Sequence, residues 1–377
     1  MTIRYIRVKS VSDLFAPAVR AYSNVAIVGR VTPPAPPAVP IPGMLSVGDV
    51  VVFTDPGEAR RRAPGELGEA VALAFLQTPG PSQITAVRVD ETSPDWQAGL
   101  DLLSTRDVQI VALANEPLDA TSGAPAGAVG RLVDHVVSVS QSGGDGKERI
   151  GVAMLTKAVT DPTIITGSLV SERMVYVAHK SDQDVAAAVA GTIAGYEPHI
   201  SLLLKPVLVD SEPFTAAEID QINGSEDFDS GPAGQGVNWL VDPALIPGQG
   251  NYLGEGYTGD PGGKKYIDIV RTIDNVSFLL KAQLIRSVGN VRISRSGLRA
   301  LGAQLEAVLE PLVRQGVIEG YDVQMPILML LDKPAASLTA DELNQIHDAQ
   351  AQRVIEVLVS VDYAGAIHRV ALTLKFE

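Results

Sequence analysis

Between Val47 and Ile193 short apolar segments alternate with helix-like ones, and this alternation restricts the fold more than any other property of the chain. The strand-like segments are Val47–Thr54, Ile84–Val89, Val108–Ala114, Ile150–Leu155 and Met174–Ala178. Helical patterns run over Glu66–Leu76, Asp95–Leu103, about Ala126–Val139 and Gln183–Ile193. Short strands that are apolar on both faces need cover on both faces, so the pattern predicts an α/β sandwich (mixed α/β and α+β) with a largely covered sheet. An earlier strand, Val25–Val28, ends at Gly29. It is followed by the proline-dense stretch Thr32–Pro40, which forces extended chain and ends any regular element.

Downstream the texture changes. Asp227 to Lys265 is rich in glycine and low in periodicity, which reads as a long surface excursion or a domain junction. Tyr266–Val270 is expected to restart a strand, followed by a helix over about Asn275–Val288. The next helix carries Leu298, Leu301, Leu305, Val308, Leu309 and Leu312 on one stripe, and a further one spans Asp341–Arg353. Thr215 with Glu218 and Thr339 with Glu342 have capping-box spacing, which marks two helix starts.

The segment from Val354 to Glu377 alternates with period two. Ile355, Val357, Val359 and Val361 share one face of a first strand; Val370, Leu372, Leu374 and Phe376 share one face of a second, with Tyr363-Ala364-Gly365 between them as a turn. A terminal hairpin is expected. Its unpaired edge needs cover, either inside its own domain or by a strand from another copy of the chain.

Composition excludes several classes of function. With 46% hydrophobic residues the chain is globular, and no apolar run approaches the roughly 20 residues of a membrane span. The start MTIRYIRVKS lacks the apolar core of a signal peptide, so a soluble protein made in the cytoplasm is expected. The absence of cysteine removes disulfides, thiol catalysis and thiolate metal sites. A net charge of −14 argues against nucleic acid as a partner, because phosphate contacts need clustered Lys and Arg. The charge is uneven: Arg4, Arg7, Lys9 and Arg20 face only Asp13 in the first twenty residues, whereas Asp210 to Asp229 is acidic.

Residues able to carry chemistry do not converge. None of His135, His179, His199, His347 and His368 has a second histidine at the spacing of a helical metal site. Gly259-Asp260-Pro261-Gly262-Gly263-Lys264-Lys265 superficially resembles a phosphate loop, but Thr258 stands where its first glycine belongs, Lys265 replaces Ser or Thr, and a strand is expected after it. Glu226, Asp227 and Asp229 lack the ligand pattern of an EF-hand loop. There is no Gly-x-Ser-x-Gly elbow. The sequence therefore nominates no catalytic residue, metal or cofactor. The alternative to a structural protein is a soluble α/β enzyme or nucleotide-binding protein that uses the Gly248–Gly263 loop.

The order of segments resembles the tail sheath proteins of contractile phage tails, R-type bacteriocins and extracellular contractile injection systems. Val25-Ala26-Ile27-Val28-Gly29 is similar to the family's opening strand, and Ala74-Phe75-Leu76 through Ile84–Val89 to its helix and following strand. Gly236-Val237-Asn238-Trp239-Leu240 is similar to the segment before the family's C-terminal domain. Tyr266–Arg271 resembles that domain's first strand, and Leu305 to Gly320 its next helix and turn. The family's Gly-Ala-Arg-Thr-like signature is not present; Leu253-Gly254-Glu255-Gly256-Tyr257-Thr258 stands in its place.

This resemblance implies a non-enzymatic subunit that stacks as hexameric rings into a helical sheath around an inner tail tube. Baseplate and tail terminator proteins would be further partners, and a virion tail or contractile particle assembled in the host cytoplasm the location. It implies an N-terminal arm (1–20), an outer α/β domain (21–264, with a Pro-rich linker at 32–42 and a Gly-rich excursion at 230–264), an inner domain (265–353) and a C-terminal hairpin and arm (354–377). Strands from the arms of neighbouring subunits would complete the inner sheet, one from Ile3, Tyr5, Ile6 and Val8, the other from Val370, Leu372, Leu374 and Phe376, beside Ile355, Val357 and Val359. Candidates for the surface that faces the tube are the basic start of a helix at Arg292, Arg295 and Arg299, or the exposed face of the Asp341–Arg353 helix.

Overall fold

A computed structural model describes residues 22–33, 41–142, 146–225, 234–246 and 250–368. The described residues divide into two compact units, one formed by residues 22–275 with 365–368, the other by residues 276–364.

The larger unit is built on a nine-stranded sheet. In chain order its elements are β1 (Val25–Arg30), β2 (Val50–Phe53), α1 (Pro56–Arg62), α2 (Glu66–Leu76), β3 (Ile84–Val89), α3 (Trp96–Asp101), β4 (Ile110–Leu113), α4 (Ala128–Gln141), β5 (Ile150–Met154), β6 (Met174–Ala178), α5 (Val185–Gly195), β7 (Pro206–Val207), α6 (Ala216–Asn223), β8 (Val237–Val241) and β9 (Asn251–Leu253). The strand order is β2-β3-β1-β4-β5-β6-β8-β9-β7. The six central strands are parallel, and β2, β9 and β7 are antiparallel to their neighbours.

The predicted two-sided strands explain the layers. Val25 and Ile27 of β1 and Ile110 and Ala112 of β4 pack on the side of α2 and α5; Ala26, Val28, Val111 and Leu113 pack on the side of α3 and α4. Burial on both faces leaves no polar alternation, which is why these strands read as continuous apolar runs. The Thr215–Glu218 box caps α6, its side chains answering each other's backbone N–H groups.

Three expectations change. The glycine-rich stretch is not only a surface excursion: it contributes β8, inserted beside β6, and β9. Some of its glycines serve close approach. A side chain at Gly254 would collide with the Trp239 ring, and one at Gly259 with the Tyr176 ring. Tyr266–Val270 is not a strand, because Ile267 opens the long helix α7 (Ile267–Ser287). Ile267, Val270 and Arg271 are all buried, a helical spacing that the short alternation Ile-Asp-Ile masks. Helix α1 was not anticipated, although Asp55 accepts from Glu58 N at 2.6 Å and Pro56 stands at its first turn.

The division between the units falls within α7. The smaller unit continues with α8 (Arg295–Arg314), β10 (Ile318–Gln324), α9 (Pro326–Asp332), α10 (Ala340–Gln352) and β11 (Leu358–Tyr363). The leucine stripe of α8 is its core: Leu298, Leu301, Leu305, Leu309 and Leu312 are buried against the later part of α7 and the sheet. Thr339 and Glu342 form the second capping box, at the start of α10.

Candidate functional site

In the smaller unit β10 and β11 form an antiparallel pair in the register Tyr321 opposite Val361 and Val323 opposite Val359, with a bulge between Ile318 and Gly320. Tyr321, Val323, Val359 and Val361 lie against Val276, Leu309 and Leu312. Glu319, Asp322, Gln324, Ser360 and Asp362 are exposed on the other face, which makes that face acidic. Ile355 and Val357 precede β11 and pack near Leu298, Leu301 and Leu305. The apolar face predicted from period two is therefore half-buried, turned toward the core of its own unit.

One pairing was not expected. The first of the two C-terminal strands pairs with β10, an element hidden behind the predicted helix-and-turn at Leu305–Gly320. Among the described residues the sheet has two strands, so each has an edge without a strand partner. Such edges are the groups through which chains add strands to one another. The expected donated residues Ile3, Tyr5, Ile6, Val8, Val370, Leu372, Leu374 and Phe376 lie outside the described residues.

Of the three candidate tube-facing arginines, Arg295 and Arg299 converge on Asp332, each at 3.0 Å, and Arg295 also donates to Leu331 O. They tie α8 to α9. Arg292 is exposed in the turn before α8.

The larger unit has a pocket of about 670 Å³ lined by Arg60, Glu66, Leu73, Asn115, Asp182 and Asp184, among others. It lies where β4 runs out into Asn115, the end of a parallel sheet at which α/β enzymes bind ligands. Its polar groups answer one another. Asp184 caps α5, accepting from Ala187 N at 2.9 Å and Asn115 N at 2.8 Å; Glu66 accepts from Asn115 Nδ2 and pairs with Arg30; Asp182 pairs with Lys157.

The glycine-rich loop is closed in the same way. A helix does follow it, contrary to expectation, but Asp260 accepts from the N–H groups of Gly262 and Gly263, both at 3.0 Å, the donors a phosphate would need. Lys264 pairs with Glu172, and Lys265 lies over the Tyr257 ring. Among the described residues no group of three or more His, Asp or Glu side chains is placed to hold a metal ion. Glu226, Asp227 and Asp229 lie outside them.

Asp184 and His135 are among the buried groups whose titration is displaced. Burial pushes the Asp184 carboxyl up to about 6, despite its backbone N–H donors. Burial, together with the adjacent Arg149 guanidinium, holds His135 down to about 4. The signs oppose. The stability that Asp184 contributes is complete below its ordinary value of 3.8 and lost as pH rises through about 6; that of His135 is present above 6.5 and lost as pH falls through about 4. Each amounts to about 3 kcal/mol at roughly 1.4 kcal/mol per unit. Relative to the parent, Asp184→Asn should make stability fall more steeply from pH 6.5 to 4, and His135→Gln should make it fall less or rise. Denaturant midpoints across that range check both.

No protein-family model matches the sequence, and no curated protein matches it. Solved structures do. A chain of the anti-feeding prophage helical sheath in its contracted state is 13% identical, with a TM-score of 0.62 over 100% of this chain and 99% of that one.

The fold is that of a contractile sheath protein.

A chain of the sheath complex of an extracellular contractile injection system, PVC, in its contracted state has a TM-score of 0.64 at 11% identity, over 100% and 98% of the two chains. A chain of the six-fold symmetrised anti-feeding prophage baseplate has 0.62 at 15%, over 100% and 99%. The likeness thus spans the length of the chains compared, at identities that show the fold alone. No helix among the described residues is long and apolar enough to cross a membrane.

Proposed function

We propose that this chain is the structural subunit of a contractile sheath, polymerising as stacked hexameric rings around an inner tube and contracting to drive that tube through a target envelope. The observation that carries this reading is the likeness to contractile-sheath chains over the full length of both partners. In this reading the larger unit is the outer domain and the smaller unit the inner one.

The β10–β11 sheet is the acceptor of strands from neighbouring copies, the N-terminal strand around Ile3, Tyr5, Ile6 and Val8 and the C-terminal strand Val370–Phe376. Ladder hydrogen bonds then join the rings while the outer domains move. Charge supports the pairing: the arm carries Arg4, Arg7 and Lys9, and the exposed sheet face carries Glu319, Asp322 and Asp362. Exposed ion pairs of this kind are worth about 0 to 1 kcal/mol each, so their contribution is to orientation and rate more than to affinity. Contraction draws on the difference in packing between two assembled states, and no nucleotide is consumed. Arg292 faces the tube, since Arg295 and Arg299 already share Asp332.

Negative-stain microscopy of the purified protein tests the reading. Striated hollow cylinders are expected. Deleting Met1–Lys9 or Val370–Glu377 should abolish them while leaving a folded subunit, and Arg292→Glu should weaken assembly only where a tube is present. A sharp monomer of the parent chain at every salt concentration would overturn the proposal; cylinders from the truncated chains would overturn strand donation.

A further inference from the structure

Beyond Ala364 the chain leaves the smaller unit, and residues 365–368 belong to the larger one. His368 is held there by three segments that are far apart in sequence. Its Nδ1 lies 3.1 Å from Glu255 Oε2, its Nε2 lies 3.0 Å from Ser201 Oγ, and the Tyr266 ring meets it edge-on with centroids 4.7 Å apart. Ser201 lies in the loop before β7, Glu255 just after β9, and Tyr266 immediately before α7. Glu255 is 4% exposed.

The chemistry of this arrangement is directional. An ionised carboxylate only accepts, so Nδ1 carries the proton toward Glu255, and in the neutral ring Nε2 accepts from the Ser201 hydroxyl. Ser201 Oγ in turn accepts from Leu203 N at 3.3 Å, which holds the hydroxyl in place. A buried carboxylate needs hydrogen-bond donors, and His368 brings one from the end of the described chain. Both ring nitrogens and one ring edge are engaged, which is a clamp on the main chain at residue 368.

We infer that His368 is a positioning residue for assembly: it fastens residues 365–368 to the larger unit and thereby sets the point from which the following strand reaches a neighbouring copy. This rests on the strand-donation reading above. A strand that begins at Val370 is rooted two residues beyond the clamp, within about 7 Å of it at full extension. With the clamp open the tether would start instead at Tyr363, five residues earlier, and gain roughly 17 Å of slack. A short, fixed tether raises the effective concentration of the strand at its acceptor; slack dilutes it.

The test uses the full-length chain with His368→Ala, Glu255→Gln and the conservative His368→Asn, which keeps a donor near the Nδ1 position. In the unassembled subunit, nitrogen-15 relaxation should show the backbone at 365–368 more mobile in His368→Ala than in the parent chain, and less so in His368→Asn. Cylinder yield should fall at least fivefold in His368→Ala with partial recovery in His368→Asn, while circular dichroism shows the subunit still folded. Unchanged mobility would overturn the clamp and leave strand donation standing. Greater mobility with normal cylinders, where deletion of Val370–Glu377 abolishes them, would overturn positioning alone. If that deletion leaves cylinders intact, strand donation fails and the inference with it. The Ser201–His368–Glu255 order also has the connectivity of a nucleophilic relay. Labelling of Ser201 by a fluorophosphonate that is lost in His368→Ala would overturn the positioning role in favour of catalysis.

Discussion

Replacing Arg149 with methionine should destabilise the larger unit by about 3 to 5 kcal/mol, the cost of breaking a buried, fully bonded charge site. Arg149 is 0% exposed. Its Nε donates to Lys147 O at 3.2 Å, Nη1 to Leu103 O at 3.1 Å and Nη2 to Arg106 O at 3.1 Å, and Nη1 also lies 3.1 Å from His135 Nε2. The guanidinium thus ties the loop between α3 and β4 to the start of β5 and meets α4 through His135. Methionine fills much of the volume but leaves three carbonyls without that donor. Lysine, a single point of charge, cannot span them. Against a total stability of about 5 to 15 kcal/mol such a loss is large. Urea denaturation measures it, and NMR titration adds a specific sign: with the guanidinium gone, His135 should titrate nearer its ordinary range. A loss below about 1 kcal/mol would mean that the loop finds other donors.

Leu309→Ala should cost about 2 to 5 kcal/mol, and the cost should fall on the smaller unit. Leu309 is fully buried among Val276, Leu312, Val317 and Ile318, beneath the β10–β11 sheet. That core is small, so one cavity removes a large share of what holds the two strands to α8. Each unit has its own core, and unfolding need not be a single transition. Calorimetry should show one transition shifted down and the other in place. A single transition moving as a whole would instead show that the units unfold together.

Much of the fold is legible in the residues because its causes are local. The two capping boxes form where Thr215 and Thr339 stand three residues before glutamate. The central strands from β1 to β6 fall where apolar runs are too short for helices and too uniform for a half-exposed sheet. The leucine stripe of α8 faces a core, as its spacing requires. The misread elements are those whose local signal is ambiguous. Tyr266–Val270 alternates over too few residues to separate a strand from a helix start, and only the burial of Ile267, Val270 and Arg271 together decides it. The glycines around β8 and β9 resemble a loop because glycine is read as freedom, whereas Gly254 and Gly259 are where rings need room.

The candidate site was less legible. Period two at Val354–Val361 locates a strand and its half-buried face, but a strand's partner is a matter of which segment the rest of the chain brings alongside, and that was β10. Nothing in the spacing of Ser201, Glu255, Tyr266 and His368 announces that they meet, since the separations exceed any helical or strand period. The sequence by itself determined the class of architecture, the absence of cysteine chemistry and the alternating faces, because periodicity and composition act through neighbours along the chain. Tertiary structure alone decided which strands pair, which carboxylates and backbone donors are already occupied, and where His368 is held, because each depends on groups brought together from distant positions.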